Sequence, residues 1–410
     1  MRGRPNLFTT YDSEIALIPT RTKRIALALF VGFLLLAPVG GIPGLRFLGE
    51  ADWLRLLSQV LVFAIAALGL NILLGYAGQV SLGHSFFLGL GAYTAVVLGG
   101  PEGESLWGLG LPLWIWLPAS GLVAALVGML VTPGAVRTRG LYLAFVTLGL
   151  LFVGEHVFRN LSFITGGGGL GRRGPPFELR LWKEETPLVS FTADGEWFGI
   201  FLTGAQKFFY FALVLTVLAV LASKNLARTR IGRALMSIRD RDVAAEIVGV
   251  SVGRYKLIAF GISSFFAGVA GALMFGLFSI LTPEEFGLLL AIEFLAMVLI
   301  GGAGTIVGVL IGTAFITTLP RLVRDFTSWL QFQAAGDGAF AWLGNLVIST
   351  GPGDFGIVSS AVNGPGLNIF QLNAVLYGLL LIGFLMFEPL GLYGIWIRTR
   401  NYWKSWPFTY

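Results

Sequence analysis

Apolar runs of about 17 residues or more recur along this chain, each long enough to cross a hydrocarbon layer about 30 Å thick as a helix. "LVFAIAALGLNILLGY" (61–76) and "LIAFGISSFFAGVAGALM" (257–274) are two of them. Lipid cannot hydrogen-bond an open backbone, so such runs must satisfy their own backbone groups as helices. Composition agrees: 55% of the 410 residues are hydrophobic and only 12% are charged, about half of the roughly 25% usual in globular proteins. Too few polar residues remain to coat a soluble core of this size. The 57 glycines suit helices that approach closely inside a membrane. The sequence therefore predicts an all-α polytopic membrane protein.

Several classes of function drop out. With no cysteine and only two histidines, His84 and His156, thiolate and iron–sulfur sites are excluded and a histidine metal site is disfavoured. The net charge of +6 marks inside loops of a membrane protein rather than a nucleic-acid surface. "RTKRIALALFVGFLLLAPVGG" has the basic start and apolar body of a secretory signal without a clear cleavage site, which predicts an uncleaved signal-anchor.

About ten spans are expected, some of them re-entrant or discontinuous: 25–41, 54–75, 82–98, 112–132, 141–160, 206–223, 257–280, 287–302, 304–320 and 371–391. Whether 82–98 crosses fully is open, and glycines break the chain around 302–304. With the N-terminus inside, the inside segments are 1–24, 133–140, 224–256 and the C-terminal tail, which ends with 401–410. They hold 18 of the 28 Lys and Arg residues, the asymmetry expected of cytoplasmic loops. The topology is N-in and C-in, with a membrane domain over 25–400 and long outside segments at 161–205 and 321–370.

"SIRDRDVAAEIVGVSVGRYK" (237–256) carries seven charged side chains. Burying them in the bilayer would cost roughly 20 kcal/mol at about 2.5–3.5 kcal/mol each, so the segment belongs in the largest inside loop. It reads as structured. Ile231, Leu235 and Ile238 form an apolar helical stripe, Asp242 can cap a short helix, Gly249 can close it, and Ser251 can cap the next span.

Polar residues near glycine breaks are the candidates for lining a solute pathway, because unwound backbone is tolerated where it lines a cavity. Asn71, Gly75, Gly78, Gln79, Ser81 and His84 form one such group, against the plainer reading of a tight turn between spans. Glu155, beside His156, and Glu293 are costly intramembrane ionisable residues, although both lie toward outer span ends. Gly304, Gly308 and Gly312 share a GxxxGxxxG spacing. Ser264 with Gly268 and Ala267 with Gly271 repeat the pattern, as helix-packing faces within the chain or against a sister subunit.

"GRALMSIRDRDVAAEIVGVSVGRYKLIAFGISSFFAGVAGAL" closely resembles the LivM-type permeases of branched-chain amino-acid ABC importers. "ALGLNILLGYAGQVSLGHSFFLGLGAYTA" (67–95), "RGLYLAFVTLGLLFVGE" (139–155) and "AIEFLAMVLIGGAGTIVG" (291–308) agree in the same order. The resemblance covers roughly residues 50–325 and about 370–400. It implies an ABC importer permease fold and a cytoplasmic coupling loop, with "RDRDVAAEIVG" placing Ala244, Ala245, Glu246 and Gly249 on or beside a helix seated on an ATPase. Arg233, Arg239, Asp240 and Asp242 would flank that contact. The fuller coupling-loop pattern ends in an apolar–proline step that this loop lacks.

The implied partners are a homologous second permease (LivH-like), two ATP-binding subunits and an extracytoplasmic substrate-binding protein. No cofactor or metal is expected on this chain, ATP and Mg belonging to the partners, and no nucleic acid is expected. "TGGGGLGRRGPP" lacks the Lys-Ser/Thr step of a phosphate-binding loop. Leucine, isoleucine and valine are the implied cargo, with urea, short amides and other amino acids open. An ion-coupled secondary transporter is the rival reading, and the absence of a midplane carboxylate weighs against it.

Overall fold

A computed structural model describes residues 21–39, 49–101, 106–136, 141–167, 169, 171–180, 188–197, 199–334, 348–349, 358–359, 369–387 and 391–405. Residues 1–20 of the expected N-terminal tail, most of 335–368 and the last five residues lie outside these.

The helices are α1 (Arg21–Leu36), α2 (Ala51–Asn71), α3 (His84–Gly99), α4 (Leu113–Val136), α5 (Leu141–Asn160), the single turn α6 (Ser162–Thr165) and α7 (Gly204–Arg228). They continue with α8 (Arg230–Asp240), α9 (Asp242–Ile247), α10 (Val252–Met274), α11 (Leu288–Gly301), α12 (Ile306–Ala334), α13 (Ile369–Phe387) and α14 (Gly391–Ser405). Among the described residues, six helices are long and apolar enough to cross a membrane: α2, α4, α5, α7, α10 and α12; α3 and α11 are apolar but shorter.

Helix α10 sits at the centre, packed by α2, α3 and α4, while α11 and α12 form a hairpin against α2, and α7 covers its other side. Small residues make this possible. A side chain on Gly271 would lie 2.7 Å from the Leu88 carbonyl carbon, and one on Gly268 would lie 2.7 Å from Ser120 O. Gly91 lies directly against Gly268, so α3, α4 and α10 touch backbone to backbone. Phe63, His84 and Phe294 then close the space between α2, α3 and α11 with edge and tilted ring contacts.

The stretch 77–83 leaves the helical path beside α5. It is tolerated because the protein supplies its partners: Thr147 Oγ1 on α5 accepts from Leu82 N at 3.0 Å, and Ser81 Oγ accepts from Gly83 N. Helix α3 has 16 residues, about 24 Å at 1.5 Å per residue, so the irregular stretch contributes to that segment's depth.

At the end of the bundle where α4 starts, short antiparallel ladders join β1 (Arg172–Arg173) to β6 (Ile280–Leu281), β2 (Glu178–Leu179) to β3 (Val189–Ser190), and β4 (Gly195–Trp197) to β5 (Ile200–Leu202). A parallel pair, β7 (Ile348–Ser349) and β8 (Val358–Ser359), lies in the later segment beside α12 and α13. The expected all-α architecture is thus mostly helical with small β ladders, two of them within the glycine-rich connector 161–205 and one laying that connector against 280–281. Arg172 pins it, donating to the carbonyls of Ile164 and Trp107. A reciprocal capping box between Thr203 and Gln206 starts α7.

Several span boundaries differ from the sequence expectation: α1 occupies Arg21–Leu36 rather than 25–41, and α4 runs on to Val136, into the expected inside segment 133–140. The helix expected over 257–280 stops at Met274, where a turn leads to β6. The one expected to end at 320 continues to Ala334. Arg321 there stacks on Trp53 at 4.2 Å and pairs with Asp325, so charge does not end the helix. The inside loop 224–256 is shorter at both ends, α7 running to Arg228 and α10 starting at Val252. Residues 401–405 of the expected tail belong to α14.

Candidate functional site

The charged segment folds as two helices at the end of the bundle where α2 finishes and α12 starts. Thr229 caps α8 through its side chain, accepting from Gly232 N at 3.3 Å. Leu235 and Ile238 of the apolar stripe are buried, and Ile231 packs beside them. Arg233 points to solvent. Helix α9 follows at once. Asp242 is its first residue rather than its cap, a place taken by Arg241, since Asp242 turns its carboxylate to its neighbour Val243 N at 2.9 Å. Gly249 closes α9 at φ 91°, a left-handed conformation open to glycine without strain, and Val250 N reaches back to Ala245 O. Ser251 occupies the cap position of α10 without a side-chain bond.

Only Ala245 of α9 is buried. Ala244 and Glu246 are exposed. So are Val243 (54%), Ile247 (81%) and Val248 (84%), three large apolar side chains beside a charged segment that no other described residue covers.

Beneath α8 lies a joint that gathers several expected pathway residues. Helix α2 ends in a π turn over Ile72–Tyr76. Arg239 Nη1 donates to the Gly75 carbonyl at 2.7 Å, and Asn71 Oδ1 accepts from Gly304 N at 2.7 Å. Arg239 Nε faces Asp240 at 3.3 Å. Gly75 leaves no room for a side chain, with Gly304 Cα 2.7 Å from where its Cβ would stand, and Gly78 lies against Arg239.

Gly304 does not continue the helical glycine face of Gly308 and Gly312. It turns the chain between α11 and α12 at φ 84°, a conformation reserved for glycine. Gly308 and Gly312 do pack helix on helix, within this chain, against Gly301 of α11. A spacing of four residues cannot distinguish a turn glycine from a helix-face glycine.

The remaining candidates scatter. His84 is 1% exposed, hydrogen-bonded through Nε2 to Ala66 O at 2.9 Å and packed on Phe294. Those are the surroundings of a core side chain. Ser81 is buried; Gln79 is half-buried and turns to Ala77 O. Glu155 pairs with Arg159 at 2.7 Å near the far end of α5, and Arg159 also reaches Glu284 at 3.3 Å. This links α5 to the 3₁₀ turn Pro283–Phe286. In that turn burial raises the Glu285 carboxyl above its ordinary value, and the Glu284 charge adds to the rise. Glu293 is half-buried on α11, and among the described residues it makes no ion pair. Thr147, Arg159 and Arg172 hold the structure together and were not singled out by spacing; Arg172, in a glycine-rich connector, carried the clearest sequence signal.

Residues 53–387 match the family described as branched-chain amino acid transport system, permease component. The chain is 32% identical over 284 residues to the high-affinity branched-chain amino acid transport system permease protein LivM of Salmonella typhimurium. It is 33% identical over 289 residues to the LivM of Escherichia coli. Each alignment covers 68% of this chain and 65% of the relative, just under two thirds of those proteins' own length. The ribose import permease protein RbsC of Haemophilus influenzae is 22% identical over 313 residues, 74% of this chain and 88% of that one. No solved structure matches. By the extent of the family match and the apolar helices that carry it, the chain belongs to the branched-chain amino acid permease family and is a multi-pass inner-membrane protein.

Proposed function

We propose that this chain is the membrane permease subunit of an ABC importer that carries leucine, isoleucine and valine inward. ATP is hydrolysed by two partner subunits, and substrate is delivered by an extracytoplasmic binding protein to this chain paired with a homologous permease. The observation that carries the reading is the exposed apolar face of α9, set on a helix anchored to the bundle in a chain one-third identical to LivM permeases. A secondary transporter has no need of such a face.

The proposed topology has ten crossings, with α1, α3, α11 and α13 added to the six long helices and both termini inside. The ends that lie together support it. Gly75, Arg239, Gly304 and Gly391 gather at one end, the cytoplasmic one in this reading. The β1–β6 ladder and the Arg159–Glu284 pair lie at the other. Helix α14, carrying Arg398, Arg400 and Lys404, then rests on the inner surface, as basic residues favour.

The deciding experiment is uptake by the assembled importer in proteoliposomes. Radiolabelled leucine accumulates only with ATP on the ATPase side, and unlabelled isoleucine and valine compete while ribose and urea do not. Uptake driven by an ion gradient without ATP would reject the reading. Competition by urea alone would move the cargo and leave the importer.

A further inference from the structure

We infer that Arg239 is the positioning residue that ties the coupling helices to the membrane bundle, by bonding the inner end of α2, which Asn71 in turn ties to the turn between α11 and α12. The inference rests on the importer reading above and goes beyond it. Docking concerns the outward face of α9, whereas this contact is made by an α8 side chain that is 42% exposed and reaches back to the bundle with its Nη1.

A helix ending in a π turn leaves carbonyls without an intrahelical partner. At the end of α2, Ala77 N bonds Ile72 O, Gln79 N bonds Leu73 O and Gly78 N bonds Leu74 O. The next carbonyl along, Gly75 O, is taken by Arg239. A guanidinium is well suited there, since the C-terminal end of a helix carries partial negative charge. One turn back on α2, Asn71 takes the backbone N–H of Gly304, the residue that reverses the chain between α11 and α12. A Cβ on Gly304 would lie 3.0 Å from Arg239 Nη1 and 3.3 Å from Gly75 O. Three elements distant in sequence thus meet around one cation.

The geometry gives the contact a direction of action. Helix α8 is held by its buried stripe and leads directly into α9, so a pull on α9 moves the residue at the end of α8. That residue is bonded to α2, and α2 is bonded through Asn71 to the α11–α12 turn. Movement at the docking surface therefore reaches two membrane elements through the Arg239 guanidinium. On its other side the guanidinium meets Asp240, which is 69% exposed, so the pair can part without uncovering a buried charge.

The test uses the complete importer in proteoliposomes, measuring leucine taken up per ATP hydrolysed. For Arg239→Gln the partners still co-purify and ATP is still hydrolysed, but the ratio falls about tenfold, the factor expected for one charge-assisted hydrogen bond. Arg239→Lys, which keeps a cation able to reach one carbonyl, recovers most of the ratio. Asn71→Ala, removing the other half of the joint, lowers the ratio with Arg239 intact and keeps the inference testable if the Arg239→Gln chain does not fold. A wild-type ratio in Arg239→Gln overturns the inference. So does loss of the ATPase subunits in that variant, which would place Arg239 on the docking surface. A wild-type chain that moves leucine without ATPase subunits overturns both this inference and the importer reading; the first two results leave the importer reading standing.

Discussion

Replacing Gly91 by alanine tests whether α3 and α10 are held by direct backbone contact. An added Cβ would stand 2.5 Å from the Gly268 carbonyl carbon, with the rest of that glycine's backbone closer still. Carbon atoms rest about 3.5–4.0 Å apart, so the helices must separate by about 1 Å. No flexible side chain is there to give way, because both surfaces are backbone. Gly268 is also wedged against Ala124 and Ser120 of α4, which blocks retreat on that side. Overpacking of this kind costs about 1–3 kcal/mol. The comparison is Gly149→Ala on α5, where a Cβ meets nothing within 4 Å and the change should stabilise the helix by about 0.5–1 kcal/mol. Unfolding both variants with SDS in mixed micelles, followed by helical circular dichroism, reads the difference. If Gly91→Ala unfolds at the same SDS fraction as Gly149→Ala, the backbone-contact account of the bundle is wrong.

Three further outcomes are expected. Arg172→Ala leaves the Ile164 and Trp107 carbonyls without their donor and should cost about 3 kcal/mol, measured in the same titration and accompanied by faster proteolysis of 171–203. Thr203→Ala removes the reciprocal cap of α7 and should cost about 1 kcal/mol; an unchanged midpoint would show the cap idle. Burial, with the Glu284 charge adding to it, raises the Glu285 carboxyl, so the folded chain holds that proton more tightly than the unfolded one. Its contribution is fully present below the unfolded value of 4.5 and is lost as pH rises through the folded value. Glu285→Gln should therefore match wild type below that pH and exceed it in stability near neutrality, and equal stabilities at neutral pH would contradict the assignment.

The six long apolar helices were legible because lipid imposes one rule on every backbone, and apolar length reports it directly; the helix over 141–160 matches residue for residue. Ends were less legible where side chains found specific partners. Nothing in "LPRLVRDF" says that Arg321 will lie over a tryptophan more than 260 positions away, so a helix that continues looks like one that stops. The charged segment was readable as a structured loop from its charge and apolar stripe, but not the reach of Arg239 to Gly75, because a single arginine among seven charges carries no mark of its direction. Asn71, Gly75 and Gly78 were picked out as pathway lining for their polarity and flexibility. The same two properties suit a joint, and only the approach of Gly304 separates the meanings. His84 shows the same ambiguity, its polarity being absorbed by the Ala66 carbonyl.

The central claim is that the exposed face of α9 is where an ATPase docks. The most direct measurement is a mild-detergent purification of the tagged chain from its native membrane, with mass spectrometry of whatever accompanies it, repeated with Ile247 and Val248 both changed to aspartate. The account predicts that P-loop ATPases and a second permease accompany the wild-type chain, and that the ATPases alone are lost from the double variant. ATPases retained at wild-type level in the double variant, or a wild-type chain that purifies without any, would contradict it.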